Sequence, residues 1–403
     1  MADLLDGVRV LDLTVFQQGP YASSMLADLG ADVIKIEGPD TPDPGRGFDL
    51  PGGGTEFHSY FQTLNRGKRA ISIDLKSERG REVLHRLVES AEVFVSNVRY
   101  KALQRLCADY ETLSAINPSL VYAHATGYGP EGPDADLGSM DMLGVARGGL
   151  MSVTGEPDMP PMRIGAPIGD HVGAICLGFG IMAALFHRQR TGEGQRLEGS
   201  LLAGQLCIQS HNITGALFTN KAPPRQKRGG PNPTWNIYKG SDGAWFVLGM
   251  SRAKFWPGIC QVIDRPEWAT DERYAALESR LERRDELVAL LDEIFAAKPA
   301  DEWVRLFSAA NLMAARLNNY LDVGEDPQAL VNGYITEVER PDGKPPVKMV
   351  GPPILFSKTP GRIRGLAPEF GQHTEEVLRE AGYSWEEIGD LSAAGIIGIR
   401  DQL

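Results

Sequence analysis

Short apolar runs and stretches of helical period take turns along the first part of the chain. "GVRVLDL" and "ADVIKIE" are runs of strand type, and "PYASSMLADLG" between them has helical spacing and closes on Gly30. "AISIDL" predicts a further strand, and "ERGREVLHRLVESA" a helix with Val83, Leu84, Leu87 and Val88 on one face. "EVFVSN", "YETLSAIN" and "LVYAHATG" continue the series as strand, short helix and strand. Strands that read as continuous apolar runs are covered on both faces, so this order predicts a parallel sheet between helices.

The alternation breaks after Leu197. "NKAPPRQKRGGPNPTW" is rich in Pro, Gly and bases and reads as a boundary. "YKGSDGAWFVLGM" reads as a hairpin turning at Asp242-Gly243. Leu287, Leu290, Leu291 and Ile294 then recur at helical spacing, as do Trp303, Leu306 and Phe307. Near the end, Thr374 is placed to cap a helix that stops at Gly382, and "SWEE" from Ser384 to Glu387 is a capping box. The expected fold is α/β: a large Rossmann-like parallel-sheet domain over residues 1–200, completed by 331–403, and a smaller, mostly helical α+β domain over 225–330. Residues 201–224 and 331–350 are expected to be linkers.

Composition narrows the classes of function. With 403 residues, 42% hydrophobic and 23% charged, the chain suits an ordinary globular protein of two domains. A net charge of −12 argues against nucleic acid, whose phosphates demand a basic face. Cys107, Cys176, Cys207 and Cys260 have no metal-ligand spacing and read as small buried hydrophobes in a reducing compartment. The start, "MADLLDGVRV", carries acids where a signal peptide carries bases. The longest uncharged run, Val172 to Phe186, is shorter than the ~20 residues of a membrane span. The expectation is a buried helix in a cytoplasmic protein that does not contact a membrane.

One acid stands out. In "GAPIGDHVGA", Asp170 sits at the mouth of that uncharged run with no local partner, and such a carboxylate is solvated, paired or used. Other chemistries find less support. The first strand–helix–strand unit invites a dinucleotide, but "DLTVFQQGPYASS" lacks the G-x-G-x-x-G that lets backbone close on a pyrophosphate. Glu37 is therefore read as a solvated strand-end acid. The seven histidines show no metal spacing, and His171 beside Asp170 makes no dyad, because adjacent side chains diverge. No G-x-S-x-G elbow is present. Bases do flank the predicted strands: Arg66, Lys68, Arg69 and Lys76 in "NRGKRAISIDLK", and Arg99, Lys101 and Arg105 in "SNVRYKALQRL". Ligands of open parallel sheets bind at such strand ends.

"LDGVRVLDLT…QGP", "LADLGADVIKIE", "NRGKRAISIDLK", "YETLSAINPSLVYAHATGYGPEGP", "GGLMSVTGEPDMPPMRIGAPIGD" and "RQRTGEGQRLEGSLL" together resemble the class III CoA-transferase family. "FWPGICQVIDRPEW", "DERY" and "GQHTEEVL" extend the resemblance to the end of the chain. It implies that Asp170 is a nucleophile that carries CoA from an acyl-CoA thioester to a free carboxylic acid, through mixed-anhydride and aspartyl-CoA thioester stages. A carboxylate with a reference pKa of ~3.9 needs no base to attack. Gly165 and Gly169 leave room for the thioester.

The resemblance further implies an acyl site with Gln17, Met140, Asp141, Gly229 and Gly230, and a CoA site with Lys76, Asn97, Arg105 and the backbone around Ile73. Val98 and Arg99 join the CoA site by position and charge. It also implies an interlocked, ring-like homodimer, CoA thioester as substrate rather than bound cofactor, and no metal. Three positions depart from the family pattern: Val15 and Gly38 replace a common histidine and arginine, and Gly138 matches a lysine of formyl-CoA transferase. The alternatives are a 2-methylacyl-CoA racemase, which uses a histidine where this chain has Met140, and a non-catalytic CoA-binding module.

Overall fold

The computed structural model describes residues 2–48, 58–228 and 230–399. The chain divides into two compact units, Met1–Leu150 with Ile164–Phe218 and Pro327–Leu403, and Met151–Arg163 with Thr219–Asp326.

The first unit is built on six parallel strands: β1 (Arg9–Leu13), β2 (Asp32–Glu37), β3 (Arg69–Ile73), β4 (Val93–Ser96), β5 (Val121–Thr126) and β6 (Gln195–Ser200). They lie in the order 3-2-1-4-5-6, and a short strand, Ile397–Gly398, adds antiparallel beside β3. The helices up to residue 219 are α1 (Gln18–Asp28), α2 (Ser59–Asn65), α3 (Glu78–Val88), α4 (Tyr100–Arg105), α5 (Tyr110–Ile116), α6 (Asp141–Arg147), α7 (Leu150–Val153), α8 (Ile168–Thr191), α9 (Leu201–Ile208) and α10 (Ser210–Thr219).

Alternation along each strand sends neighbouring residues into opposite layers. Leu11, Ile34, Ile71, Phe94 and Tyr122 pack with Val83, Leu84, Leu87 and Val88 of α3. Val10, Val33, Val93, Val95 and Val121 pack with Ala22 and Leu26 of α1 and Ala174, Leu177 and Ile181 of α8. The winding order reverses between β1 and β4, and the crevice between the loops that leave the carboxyl ends of two such strands is where ligands of open parallel sheets bind.

The second unit holds a hairpin, Trp235–Lys239 with Trp245–Gly249, extended by Ala314–Arg316. Its core gathers Tyr238, Phe246, Phe295, Trp303 and Phe307. Gly243 takes the left-handed conformation (φ 80°) at the hairpin turn.

Several expectations need correction. Residues 201–224 are no simple linker, because α9 and α10 lie there, and 331–350 contains the paired strands Ile335–Val338 and Val347–Val350. Residues 151–163 belong to the second unit rather than the large domain. Strand β6 escaped notice because Gln195, Arg196 and Glu198 are polar, which a sheet edge tolerates. Thr374 is the first helical residue rather than the cap, and its hydroxyl accepts from Ser72 N and donates to Gly398 O.

Glu37 is buried and paired with Arg46 at 2.6 Å rather than solvated. Cys260 is buried, but Cys207 is exposed. Helix α8 is not wholly buried: Gly173, Ala174, Leu177, Gly178 and Ile181 face the core, while Ile175, Phe179 and Phe186 are exposed. By length and composition α8 could cross a membrane, but its core-facing stripe marks it as a helix of this sheet.

Candidate functional site

The carboxyl ends of β1 and β2 are braced by buried charges. Lys68 Nζ lies 2.8 Å from Asp12, and Lys35 Nζ 2.8 Å from Asp43, all four side chains with zero exposure. Burial works against the charges of Asp12, Lys35 and Lys68, yet opposite neighbours hold Asp12 down and Lys35 up, while Lys68 is pushed down to about 8. The network fixes the loop after β1. Lys35 Nζ donates to Thr14 O (2.9 Å), and Asp43 Oδ1 accepts from Phe16 N (3.0 Å) and Gly45 N (2.9 Å). Across the crevice, Asn97 Oδ1 accepts from Val15 N (2.9 Å) and Asn97 Nδ2 donates to Val15 O (2.7 Å). Phe16 takes a left-handed turn (φ 61°) and delivers Gln17 to the start of α1.

Helix α8 brings the candidate nucleophile. Asp170 lies in its first turn, and Pro167 at the N-cap supplies no side-chain acceptor. Asp141, at the start of α6, fills that role: its Oδ1 accepts from Gly169 N (2.7 Å) and Asp170 N (3.2 Å). The approach requires glycine, since a Cβ at Gly169 would stand 2.8 Å from the Asp141 carbonyl oxygen. With Asp141 taking the helix N-terminus, the Asp170 side chain has no hydrogen bond or ion pair among the described residues.

Burial, helped by the Asp141 charge, pushes the Asp170 carboxyl up to about 7. The Tyr60 hydroxyl of α2 is raised by burial and, to a smaller extent, by the charges of Asp170 and Asp43. Gln17 Nε2 lies 2.9 Å from His171 Nδ1, and the His171 ring stands edge-on to Tyr21 at 4.5 Å.

The basic residues sort into two groups. Arg66, Lys68 and Arg69, which flank β3, are paired with Asp28, Asp12 and Asp32 at 2.7, 2.8 and 2.6 Å, so they hold the fold rather than a ligand. Lys101 pairs with Asp136. Lys76, Arg99 and Arg105 are exposed and have no ion pair among the described residues. Gly138 leaves space for Arg99: a Cβ there would stand 2.7 Å from its guanidinium.

The remaining expected positions are scattered. Ile73 is buried at the end of β3, and Val98 O accepts from His124 Nε2 at 2.8 Å. Met140 is 60% exposed at the N-cap of α6. Gly230 belongs to the second unit, where its carbonyl accepts from Arg284 Nε at 2.7 Å. Gly229 lies outside the described residues. Among the described residues no group of His, Cys, Asp or Glu is arranged to hold a metal ion.

Sequence reasoning missed Lys35, Asp43, Tyr60 and the role of His171. A lysine inside the apolar run "DVIKIE" was the available signal, since lysine is almost never buried without a partner.

The raised Asp170 pKa has a sign that can be checked. It stands above the unfolded value of 3.8, so the folded chain holds the extra proton, and its stability falls as pH rises from about 4 to about 7. Replacing Asp141 by Asn keeps an oxygen for the two N–H groups but removes the charge. The midpoint of any Asp170-dependent pH–rate profile is expected to move down by up to ~1 unit in Asp141→Asn. A midpoint that stays near 7 would show that burial alone raises Asp170.

A half-buried carboxylate with no hydrogen bond or ion pair among the described residues therefore shares one doubly wound parallel sheet unit with exposed, unpaired bases that follow β3 and β4, and such an arrangement can receive an anionic ligand. Residues 5–374 match the family model described as CoA-transferase family III, and the chain belongs to that family of CoA-transferase enzymes, whose substrates are CoA thioesters.

It is 33% identical over 403 residues to the (R)-2-hydroxy-4-methylpentanoate CoA-transferase of Clostridioides difficile, covering 98% of this chain and 99% of that one. It is 32% identical over 396 residues to the human succinyl-CoA:glutarate CoA-transferase, covering 98% and 90%. Among solved structures, a CAIB/BAIF family protein from Brucella suis matches with a TM-score of 0.86 at 32% identity, over 94% of this chain and 100% of that one.

Proposed function

We propose that this chain transfers CoA from an acyl-CoA thioester to a free carboxylic acid, with Asp170 as the covalent nucleophile. The observation that carries this reading is the Asp170 carboxylate, half-buried at the start of α8 without a partner among the described residues while Asp141 satisfies the helix N-terminus.

The steps balance without a cofactor. The ionised Asp170 oxygen attacks the thioester carbonyl, the C–S bond breaks, and CoA leaves as thiolate from a mixed anhydride. The thiolate then attacks the aspartyl carbonyl, releases the donor acid as carboxylate and leaves an aspartyl-CoA thioester. The acceptor carboxylate attacks that thioester to form a second anhydride, and the thiolate takes the acceptor's acyl carbon, returning Asp170 as carboxylate. Each step passes the acyl group between activated carbonyls, so the protein's work is to position groups and keep water from the reactive anhydrides. A pKa near 7 leaves about half of Asp170 ionised at neutral pH, and desolvation makes that fraction more reactive.

In this reading Arg99, Arg105 and Lys76, exposed and unpaired among the described residues, hold the CoA phosphates. Asn97 acts indirectly, since both ends of its amide are occupied by Val15 and hold the loop that carries Gln17. Gln17, Met140 and Asp141, all of the first unit, are proposed for the acyl site. The exposed apolar residues Ile175, Phe179, Leu206, Ile208, Leu217 and Phe218 support a homodimer, and its interlocking is proposed on the family resemblance alone. A sedimentation mass of one chain would exclude the dimer.

The test combines a panel of acyl-CoA donors and free acids, read by mass spectrometry of the CoA products, with hydroxylamine trapping. Hydroxylamine is expected to convert Asp170 to a hydroxamate, in a peptide containing "IGDHVG", only when donor is present. A donor-dependent hydroxamate on another acid would overturn the assignment.

A further inference from the structure

Gln17 and His171 stand 154 positions apart in sequence and meet at 2.9 Å, amide nitrogen to ring Nδ1. Nδ1 also lies 3.1 Å from the Pro167 carbonyl oxygen. That oxygen already accepts the His171 main-chain N–H at 3.1 Å, the ordinary helical bond, so it needs no second donor. The Gln17 side chain has no other partner among the described residues, and its Oε1 is bound by none of them. The arrangement is satisfied when the Nδ1 lone pair accepts from Gln17 Nε2 and the ring proton sits on Nε2.

We infer that His171 is a positioning residue of the acyl site: by holding Gln17 Nε2 it turns the Gln17 oxygen toward the acyl group, and the site favours acyl groups with a hydroxyl beside the thioester carbon over plain hydrocarbon ones. The inference rests on the CoA-transferase reading of Asp170 and on Gln17 lining the acyl site. An acceptor oxygen that the bound acyl group closes off from water gains a bond from a substrate hydroxyl and is left unpaired by hydrocarbon, which is the stronger kind of discrimination.

The same geometry makes the preference depend on a proton. A protonated ring donates from Nδ1 and can no longer accept, so the Gln17 amide must turn over and present its N–H groups instead. The charged groups that act on the ring are Asp141 from α6 and Arg66 from the turn after α2; Asp170, next in the chain, points away from it, and α1 with its cap brings Gln17 and Tyr21. Burial holds the ring below the usual histidine range, with Arg66 acting in the same direction and Asp141 and the Pro167 bond against it. The ring is therefore neutral at pH 8.

The experiment compares kcat/KM for 2-hydroxybutyryl-CoA and butyryl-CoA with one common acceptor acid, at pH 8 and pH 5.5. Both donors need the same ionised Asp170, so its titration cancels in the ratio. The wild type is expected to favour the hydroxyacyl donor by about tenfold or more at pH 8, and less at pH 5.5 in proportion to the fraction of rings protonated there. His171→Phe keeps a ring against Tyr21 but has no lone pair, and its ratio is expected to fall to within about threefold of one at both pH values. His171→Asn supplies an acceptor oxygen that does not titrate, and is expected to restore the preference without the pH dependence.

A wild-type ratio near one, or a preference that survives His171→Phe, overturns the inference while transfer with both donors upholds the transferase reading. Absence of transfer with every donor, together with no donor-dependent hydroxamate on Asp170, overturns that reading instead. Should His171→Phe fail to fold by circular dichroism, the wild type and His171→Asn decide at pH 8: a wild-type ratio near one, or a His171→Asn variant that lacks the preference, overturns the inference.

Discussion

Asp170→Ala is expected to lose CoA transfer by on the order of 10⁴-fold or more, the scale on which removal of a covalent nucleophile is felt. The acid nearest to Asp170, Asp141, cannot substitute, because its Oδ1 is engaged by Gly169 N and Asp170 N at the start of α8. Asp170→Glu is expected to lose ~10²-fold, since one methylene moves the attacking oxygen by about 1 Å and near-attack geometry is that demanding.

Stability should move the other way. A carboxyl held near 7 in the folded chain costs folding energy above that pH, so Asp170→Asn is expected to be more stable than the wild type at pH 8 by ~1–4 kcal/mol, and equally stable near pH 4. Steady-state assays and urea melts at the two pH values check both halves. An active alanine variant would remove Asp170 from the mechanism, and an asparagine variant no more stable at pH 8 would mean that the carboxylate is already well solvated. Gain in stability with loss of activity is the signature of a group kept for chemistry.

Lys35→Met is expected to cost ~3–5 kcal/mol, because it strips the fully buried Asp43 of its cation and Thr14 O of its donor. Activity should fall along with stability, since Asp43 also holds Phe16 N and Gly45 N around the loop that delivers Gln17. Adding Asp43→Asn to Lys35→Met removes the orphaned charge but keeps an oxygen for those two N–H groups. The double variant is therefore expected to recover part of the loss, a coupling of ~1–3 kcal/mol. Denaturant melts of the two single variants and the double close the cycle. A Lys35→Met variant within about 1 kcal/mol of the wild type would mean that water reaches this network.

How much of this was legible in the sequence follows from distance along the chain. The strands β1 to β5 could be read because a parallel strand covered on both faces must be apolar at nearly every position, and a run such as "EVFVS" has few other uses. The helix face of Val83, Leu84, Leu87 and Val88 was equally plain, since its period is local. Strand β6 was hidden by its polar edge residues, and α2, α4 and α6 are too short to show a period.

Asp170 could be singled out because an acid entering an uncharged run is anomalous whatever surrounds it. Its environment could not be. The contact of Asp141 with Gly169 and Asp170 spans 28 and 29 positions, that of Asn97 with Val15 spans 82, and that of Gln17 with His171 spans 154. Arg66 and Lys68 carried the same signal as Arg99 and Lys76, and only the fold placed Asp28 and Asp12 against the first pair and left the second pair in solvent. Composition and period alone determined the sheet, the layers and the suspect acid, because those depend on near neighbours. Which charges are neutralised, which carboxylate keeps its proton and which histidine holds which amide depended on groups that only the tertiary structure brings within a few ångströms, and electrostatics acts at that range.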